Sequence, residues 1–241
     1  MLQESANTGF RNINNSSPSR RLSPVRNENA EVAYRPPSAA YSRWGKRLFD
    51  IVVSVLILPF TLPLMVILLG LIALDGGKPI FMHPRVGKDG RIFGCLKFRT
   101  MVLDADARLK KLLSEDPSAA EEWAANFKLR DDPRITRIGR IVRKTSLDEL
   151  PQLWNVLRGD MSLVGPRPVT EAEMPLYGRC IEAYHSVRPG VTGIWQVSGR
   201  NSLSFDERVE LDRRYATQLS LIEDVRILLM TVPAVLNVTG L

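Results

Sequence analysis

Two adjacent carboxylates, Asp148 and Glu149, lie in a strongly basic stretch of the chain, residues 143–168. Neighbouring residues point in different directions in both a helix and a strand, so the two side chains cannot easily share one task. We therefore expect one carboxylate to attack a substrate and the other to hold a metal ion. The basic residues around them are Arg143, Lys144, Arg158 and Arg167. An acidic pair among cations indicates chemistry on phosphate groups.

The residues around this pair have the pattern of a helix start. Ser146 and Glu149 have the spacing of a capping box, and Pro151 favours the first position of a helix. Both patterns predict that the pair lies at a helix N-terminus, where the helix dipole favours anions. An ordinary helix cap without a catalytic role is the alternative.

Arg167 is the third residue that suits this chemistry. It lies between Pro166 and Pro168, whose rings restrict the backbone on both sides. A guanidinium group held in this way suits bidentate recognition of phosphate.

The composition leaves several classes of partner open. The chain has 241 residues and a net charge of +7, which favours phosphorylated substrates, anionic lipid or nucleic acid. Its two cysteines, Cys95 and Cys180, match no disulfide or zinc pattern, so a reducing cytoplasmic setting is expected. With only two histidines, a histidine-based metal site or a Ser-His-Asp triad is poorly supplied.

The first 75 residues predict a tail and a membrane segment. Residues 1–40 are rich in Asn, Ser, Pro and Arg and indicate a disordered tail without a signal peptide. Residues 51–74 carry no charge and are long enough to cross a bilayer, but Pro59 and Pro63 interrupt them. Basic residues flank both ends, so the positive-inside rule keeps both ends in the cytoplasm. This favours a proline-kinked, re-entrant helix over residues 41–75, and a single-pass anchor is the alternative.

The catalytic domain is expected over residues 76–241. Residues 81–100 predict a β-hairpin with its turn at 87–90. Its second strand sends Lys97 and Arg99 to one face, where they could meet a diphosphate or remain solvated. The other segments are mainly helical, so the fold class is mainly α with a small β-hairpin (α+β).

The remaining segments of this domain have different sequence patterns, most of which predict helices. Residues 104–129 indicate a helix broken near Asp116, and residues 135–142 a short amphipathic helix. Capping patterns start further helices at Thr170 and Ser204. Residues 188–201 look too irregular for a helix or a simple strand, and Trp195 within them suits either base stacking or the core.

Asp212 and the C-terminus complete the pattern. Asp212 falls on the apolar face of the helix that starts after Ser204, so we expect it to be paired with a cation or a ligand hydroxyl. Residues 227–241 are uncharged but short, which suits an interfacial helix.

Six motifs together resemble the bacterial sugar transferase family of small monotopic phosphoglycosyl transferases. They are Lys46-Arg47-x-Phe-Asp50, residues 97–101, residues 146–153, residues 159–168, residues 188–193 and Gly199-Arg200-Asn201. The resemblance covers residues 43–241, in the family's order. Within the family, the chain is most similar to the galactosyl-phosphate transferases of succinoglycan-type exopolysaccharide synthesis.

The resemblance implies a reaction and a set of residue roles. A hexose 1-phosphate, expected to be galactose 1-phosphate, passes from a UDP-sugar to undecaprenyl phosphate, and UMP is released. Asp148 would form a covalent phosphosugar intermediate, and Glu149 would bind Mg²⁺. The residues expected to bind substrate are Lys97, Arg99, Arg143, Arg167, Arg200, Asn201 and Asp212.

The resemblance also implies a setting. The protein is expected at the bacterial inner membrane with its site on the cytoplasmic face, in contact with anionic lipid and not with nucleic acid. A homo-oligomer remains possible. The alternatives are the same reaction with UDP-glucose or another UDP-sugar, direct attack by the lipid phosphate with Asp148 as base, and a non-catalytic membrane adaptor.

Overall fold

The computed structural model describes residues 40–126, 129–199 and 202–236. The predicted disordered tail, residues 1–40, therefore lies outside the described residues except for Ala40. The same holds for Arg200 and Asn201.

A long apolar helix opens the described chain. A π-helical turn, Tyr41–Gly45, leads into α1, Lys46–Ala73, which includes Pro59 and Pro63. An 18-residue window of this helical stretch has a mean hydropathy of 2.7, and 11% of it is buried. At 1.5 Å per residue, α1 is about 42 Å long, more than the roughly 30 Å of a bilayer core. The helix is thus long and apolar enough for a membrane, and its re-entrant path stays a prediction.

The predicted β-hairpin is confirmed. Strand β1, Ile80–Val86, pairs antiparallel with β2, Ile92–Phe98, in a register that sets Phe81 opposite Lys97. The connection contains a 3-10 turn, Lys88–Gly90, in which Asp89 has a φ of 57°.

Helices make up most of the described chain. They continue with α2 (Ala105–Glu115), α3 (Pro117–Asn126), α4 (Arg137–Lys144), α5 (Gln152–Arg158), α6 (Ile181–Ser186), α7 (Ile194–Ser198), α8 (Phe205–Thr217) and α9 (Leu221–Leu236). The predicted break near Asp116 is confirmed, because this residue separates α2 from α3. The capping box at Ser204 and Glu207 is also confirmed.

Two parts of the prediction differ from the structure in detail. The segment after Thr170 has the expected capping box, but it begins as a 3-10 helix, Glu171–Cys180, with a break at Gly178. The stretch judged too irregular contains both α7 and a short strand, β4, Gly190–Thr192. This strand pairs in parallel with β3, Ser162–Val164, so that Val164 lies opposite Thr192. Three-residue strands carry too little alternation to be recognised from the sequence.

The first two turns of α1 are bonded to elements that follow later in the chain. Lys46 Nζ lies 2.7 Å from Asp224 Oδ2 on α9. Asp50 Oδ1 accepts a 3.0 Å hydrogen bond from the backbone N–H of Leu163 on β3. Arg47 Nη2 donates to the Leu157 carbonyl oxygen at 2.7 Å, near the end of α5. Because these charged groups are buried or bonded to backbone, the start of α1 is fixed to β3, α5 and α9.

Candidate functional site

The acidic pair lies in a 3-10 turn, Leu147–Glu149, between α4 and α5. Ser146, just before the turn, has a φ of 56° and makes no side-chain cap hydrogen bond, so the predicted capping box with Glu149 is wrong. A left-handed conformation costs a residue other than glycine about 1–2 kcal/mol. The backbone beside Asp148 is therefore held by the surrounding packing and not by local preference. Pro151 lies directly before the first residue of α5.

Lys97, near the end of β2, contacts both members of the pair. Its Nζ lies 2.6 Å from Glu149 Oε1 and 3.9 Å from Asp148 Oδ2. The Lys97 side chain is 27% exposed. The structure thus brings this predicted substrate-binding residue to the two carboxylates.

Asp148 has an unusual protonation equilibrium. Burial raises its pKa to about 6, and the neighbouring Glu149 charge raises it as well. Lys97 and Arg143 oppose this shift by stabilising the carboxylate. At neutral pH, most of Asp148 is therefore ionised but poorly solvated, which suits a nucleophile.

Two arginines approach the site from different elements. Arg143, in the last turn of α4, donates from Nε to Thr100 Oγ1 at 2.7 Å and lies close enough to Asp148 to lower its pKa. Arg167 is exposed between two buried prolines, and its guanidinium carbon lies 5.9 Å from the centre of the Trp195 ring. Trp195 itself is 6% exposed, which supports the core role considered from the sequence.

A small pocket that is partly open to solvent lies beside Glu149. Its polar lining consists of Arg85, Lys97, Glu149, Gln152, Arg167 and Gln196. Three cations therefore converge on a space next to the acidic pair.

Arg85 and Gln152 are pocket residues that sequence reasoning missed. Arg85 lies on β1, and its Nη1 is 3.2 Å from Glu173 Oε2. Glu173 is the capping residue of the 3-10 segment and also accepts from the backbone N–H of Thr170 at 2.7 Å. The capping pattern was visible in the sequence, but its contact with Arg85 joins residues far apart in the chain.

Asp212 lies on the buried face of α8, as predicted. It is 2% exposed, and its Oδ2 accepts a 2.8 Å hydrogen bond from the Tyr177 hydroxyl. Burial raises the pKa of Asp212 to about 7, while the Tyr177 hydrogen bond and the Arg167 charge lower it. The hydrogen-bond partner of Asp212 is thus the Tyr177 hydroxyl, and Arg167 affects the pKa of Asp212 through its charge.

The structure does not bring Arg99 to the acidic pair. Its Nη2 donates to the Ile72 carbonyl oxygen at 2.9 Å and to the Asp75 carboxylate, and its Nε donates to the Lys78 carbonyl oxygen. Free carbonyl groups at the end of α1 attract a cation, which explains this position. Arg200 and Asn201 lie outside the described residues, so their predicted roles remain predictions.

The site offers few donor atoms for a Mg²⁺ ion. Among the described residues, no group of three or more His, Cys, Asp or Glu side chains could hold a metal ion. Mg²⁺ usually takes one or two carboxylates together with substrate phosphates and water. The Glu149 side chain is 30% exposed and supplies hard oxygens, so the residues present fit that kind of binding.

Comparison with known proteins supports the resemblance. The family model described as bacterial sugar transferase matches residues 41–238. A UDP-galactose-lipid carrier transferase of Erwinia amylovora is 53% identical over 199 residues, or 83% of this chain and 42% of that protein. An undecaprenyl-phosphate galactose phosphotransferase of Salmonella typhimurium is 51% identical over 199 residues, again 83% of this chain and 42% of that protein. The exopolysaccharide production protein ExoY of Sinorhizobium fredii is 48% identical over 79% of this chain and 85% of its own length. The chain thus spans less than half of the first two relatives and most of the third.

Proposed function

The chain belongs to the bacterial sugar transferase family, and we propose that it transfers a hexose 1-phosphate from a UDP-sugar to undecaprenyl phosphate. The names of the relatives support galactose as the sugar and exopolysaccharide synthesis as the pathway. The observation that carries the proposal is the position of Lys97. Its amine contacts both carboxylates and lines the pocket that Arg85 and Arg167 also line.

The proposed reaction has two displacements at one phosphorus atom. The Asp148 carboxylate attacks the phosphorus bonded to the sugar, the bond from this phosphorus to the bridging oxygen breaks, and UMP leaves. A phosphate oxygen of undecaprenyl phosphate then attacks the same phosphorus and restores the Asp148 carboxylate. The raised pKa of Asp148, about 6, supports this role because the ionised form is populated at pH 7 and is weakly solvated.

The cations would bind and neutralise the phosphates. Lys97 and Arg143 already act on the Asp148 charge, while Arg167 and Arg85 line the pocket. Fixed positive groups stabilise a charged transition state most strongly where water is excluded. Glu149 is the residue proposed to hold Mg²⁺ together with substrate phosphates, and the ion would supply further charge neutralisation when bound.

The proposed setting is the cytoplasmic face of the bacterial inner membrane, with α1 as a re-entrant membrane helix. Large apolar side chains along α1 face outward, including Leu56, Phe60 and Val66, which are 64%, 83% and 59% exposed. Such a surface favours a hydrocarbon environment. Basic residues at both ends of α1 support a path that returns to the same side.

Turnover with labelled donors tests the proposal. The full chain, purified in detergent, is incubated with undecaprenyl phosphate and radiolabelled UDP-galactose or UDP-glucose, and the lipid fraction is counted. We expect label in the lipid, with UDP-galactose the better donor. A higher rate with UDP-glucose would change the assignment of the donor sugar and leave the proposed reaction unchanged. If neither donor is used, the assay is repeated with other common UDP-sugars, and no transfer from any of them would contradict the proposal and favour a non-catalytic adaptor.

A further inference from the structure

Helix α5 carries two deeply buried amide side chains that differ in their hydrogen bonding. Asn155 is 0% exposed and Gln152 is 1% exposed. They lie three residues apart, so they face roughly the same side of the helix. The difference between them indicates which amide serves the fold and which serves a ligand.

Asn155 is satisfied within the protein. Its Nδ2 donates to the Gly94 carbonyl oxygen at 2.8 Å, and its Oδ1 accepts from the backbone N–H of Leu96 at 3.0 Å. Both partners lie on β2. Asn155 therefore fastens α5 to the hairpin.

Gln152 is not satisfied within the protein. Its Nε2 is buried, and no hydrogen-bond partner for it exists among the described residues. Leaving a buried donor unpaired destabilises a fold, so such a group calls for an explanation. Gln152 also lines the pocket beside Glu149, together with Lys97 and Arg167. Its amide therefore lies where a bound ligand could supply the acceptor.

We propose that Gln152 is a substrate-binding residue whose Nε2–H group donates a hydrogen bond to a phosphate oxygen of the bound substrate. The inference rests on the proposed function. Three cations around the pocket favour an anionic ligand, and a phosphate oxygen offers the acceptor that the Gln152 Nε2–H group lacks. Lysine and arginine supply charge, while the uncharged amide adds a directional contact. The phosphate can belong to the nucleotide sugar or to the lipid.

The variant Gln152→Leu separates a ligand contact from a structural one. Leucine has a similar size but no donor, so removal of an unsatisfied group should leave the melting temperature unchanged or raise it. A lost hydrogen bond to a charged group should lower kcat/KM roughly tenfold to a hundredfold. Asn155→Leu is the matched control on the same helix. It breaks satisfied hydrogen bonds and should lower the melting temperature clearly.

Two kinetic series identify the phosphate. A loss in kcat/KM only when the UDP-sugar is varied assigns the contact to the donor, and a loss only when undecaprenyl phosphate is varied assigns it to the acceptor. Both results support the inference. Values within twofold of the wild type for both substrates would overturn it, and so would a loss accompanied by a melting-temperature drop like that of Asn155→Leu.

A binding measurement keeps this test separate from the proposed function. If the wild-type chain turns over none of the donors, the proposed function fails, and titrations with UDP and with undecaprenyl phosphate by calorimetry still test Gln152. A tenfold weaker affinity for either ligand in Gln152→Leu supports the contact. Equal affinities for both ligands in the variant and the wild type contradict it.

Discussion

Lys97 Nζ lies 2.6 Å from Glu149 Oε1 and thereby joins the end of β2 to the turn that carries the acidic pair. The same amine lies 3.9 Å from Asp148 Oδ2. One cation therefore contacts both carboxylates and, by its charge, opposes the rise in the pKa of Asp148 that burial causes.

The variant Lys97→Met tests this effect of Lys97 on the pKa of Asp148 through the pH dependence of kcat/KM. In the proposed reaction only the ionised form of Asp148 can attack, so the wild-type kcat/KM for the donor should fall as the pH drops through about 6. Lys97 lowers the pKa of Asp148, so its removal should move this acidic limb to higher pH. Lys111→Met on α2, where the side chain is 73% exposed, should leave the limb in place. An unshifted limb in Lys97→Met would show that this amine does not tune the nucleophile.

Glu149→Gln tests the metal assignment. The amide loses the negative charge that favours Mg²⁺, so the Mg²⁺ concentration for half-maximal activity should rise roughly tenfold, along with a loss of rate. Glu210→Gln on α8, where the side chain is 59% exposed, is the control. A metal titration that coincides with that of the wild type would remove Glu149 as a ligand.

Arg167→Lys tests whether the shape of the guanidinium group matters. Lysine keeps the charge but not the planar fork that binds two phosphate oxygens, so kcat/KM should fall about a hundredfold. The exposed Arg108 on α2 provides the control Arg108→Lys. Equal activity of Arg167→Lys and the wild type would mean that Arg167 contributes charge alone.

Asp212→Asn tests the energetic effect of the buried acid. Its pKa is about 7 in the fold, against 3.8 for the unperturbed group. Between these values the unfolded chain loses its proton while the folded chain keeps it, so stability falls as the pH rises, by about 1.4 kcal/mol per pH unit. Below about pH 4 Asp212 is protonated in both the folded and the unfolded chain, so it no longer makes stability depend on pH.

Asparagine cannot ionise and can still accept the Tyr177 hydrogen bond. We therefore expect the wild type to melt at a lower temperature at pH 7 than at pH 5, and Asp212→Asn to show a smaller difference. Thermal unfolding at the two pH values measures both. An equal difference in melting temperature between pH 5 and pH 7 in the two proteins would show that a group other than Asp212 causes the pH dependence.

Local features of the fold could be predicted from the sequence, and contacts between distant segments could not. The hairpin of β1 and β2 depends on a turn between its two strands, and the capping box at Ser204 spans four residues. The parallel pairing of Ser162 with Gly190 joins residues far apart in sequence, and its two strands are too short for a pattern.

The same distinction applies to the site. Asp148, Glu149 and Arg167 were recognised because their residue types and neighbours are unusual in one short stretch. Arg85 and Gln152 were missed because their importance comes from the pocket in which β1 and α5 place them. Arg99 was expected beside Lys97, but the carbonyl groups at the end of α1 bind it instead.

Covalent labelling of Asp148 tests the central claim most directly. The full chain and Asp148→Asn are incubated with UDP-galactose labelled in the sugar, without lipid acceptor, and the acid-precipitated protein is counted. Asparagine keeps the size of the side chain, so a similar melting temperature should show that the variant is folded. We predict label on the wild type, its release by added undecaprenyl phosphate, and neither label nor turnover in Asp148→Asn. A wild-type enzyme that transfers the sugar to lipid without ever carrying label, or a variant labelled to the same extent, would contradict the account.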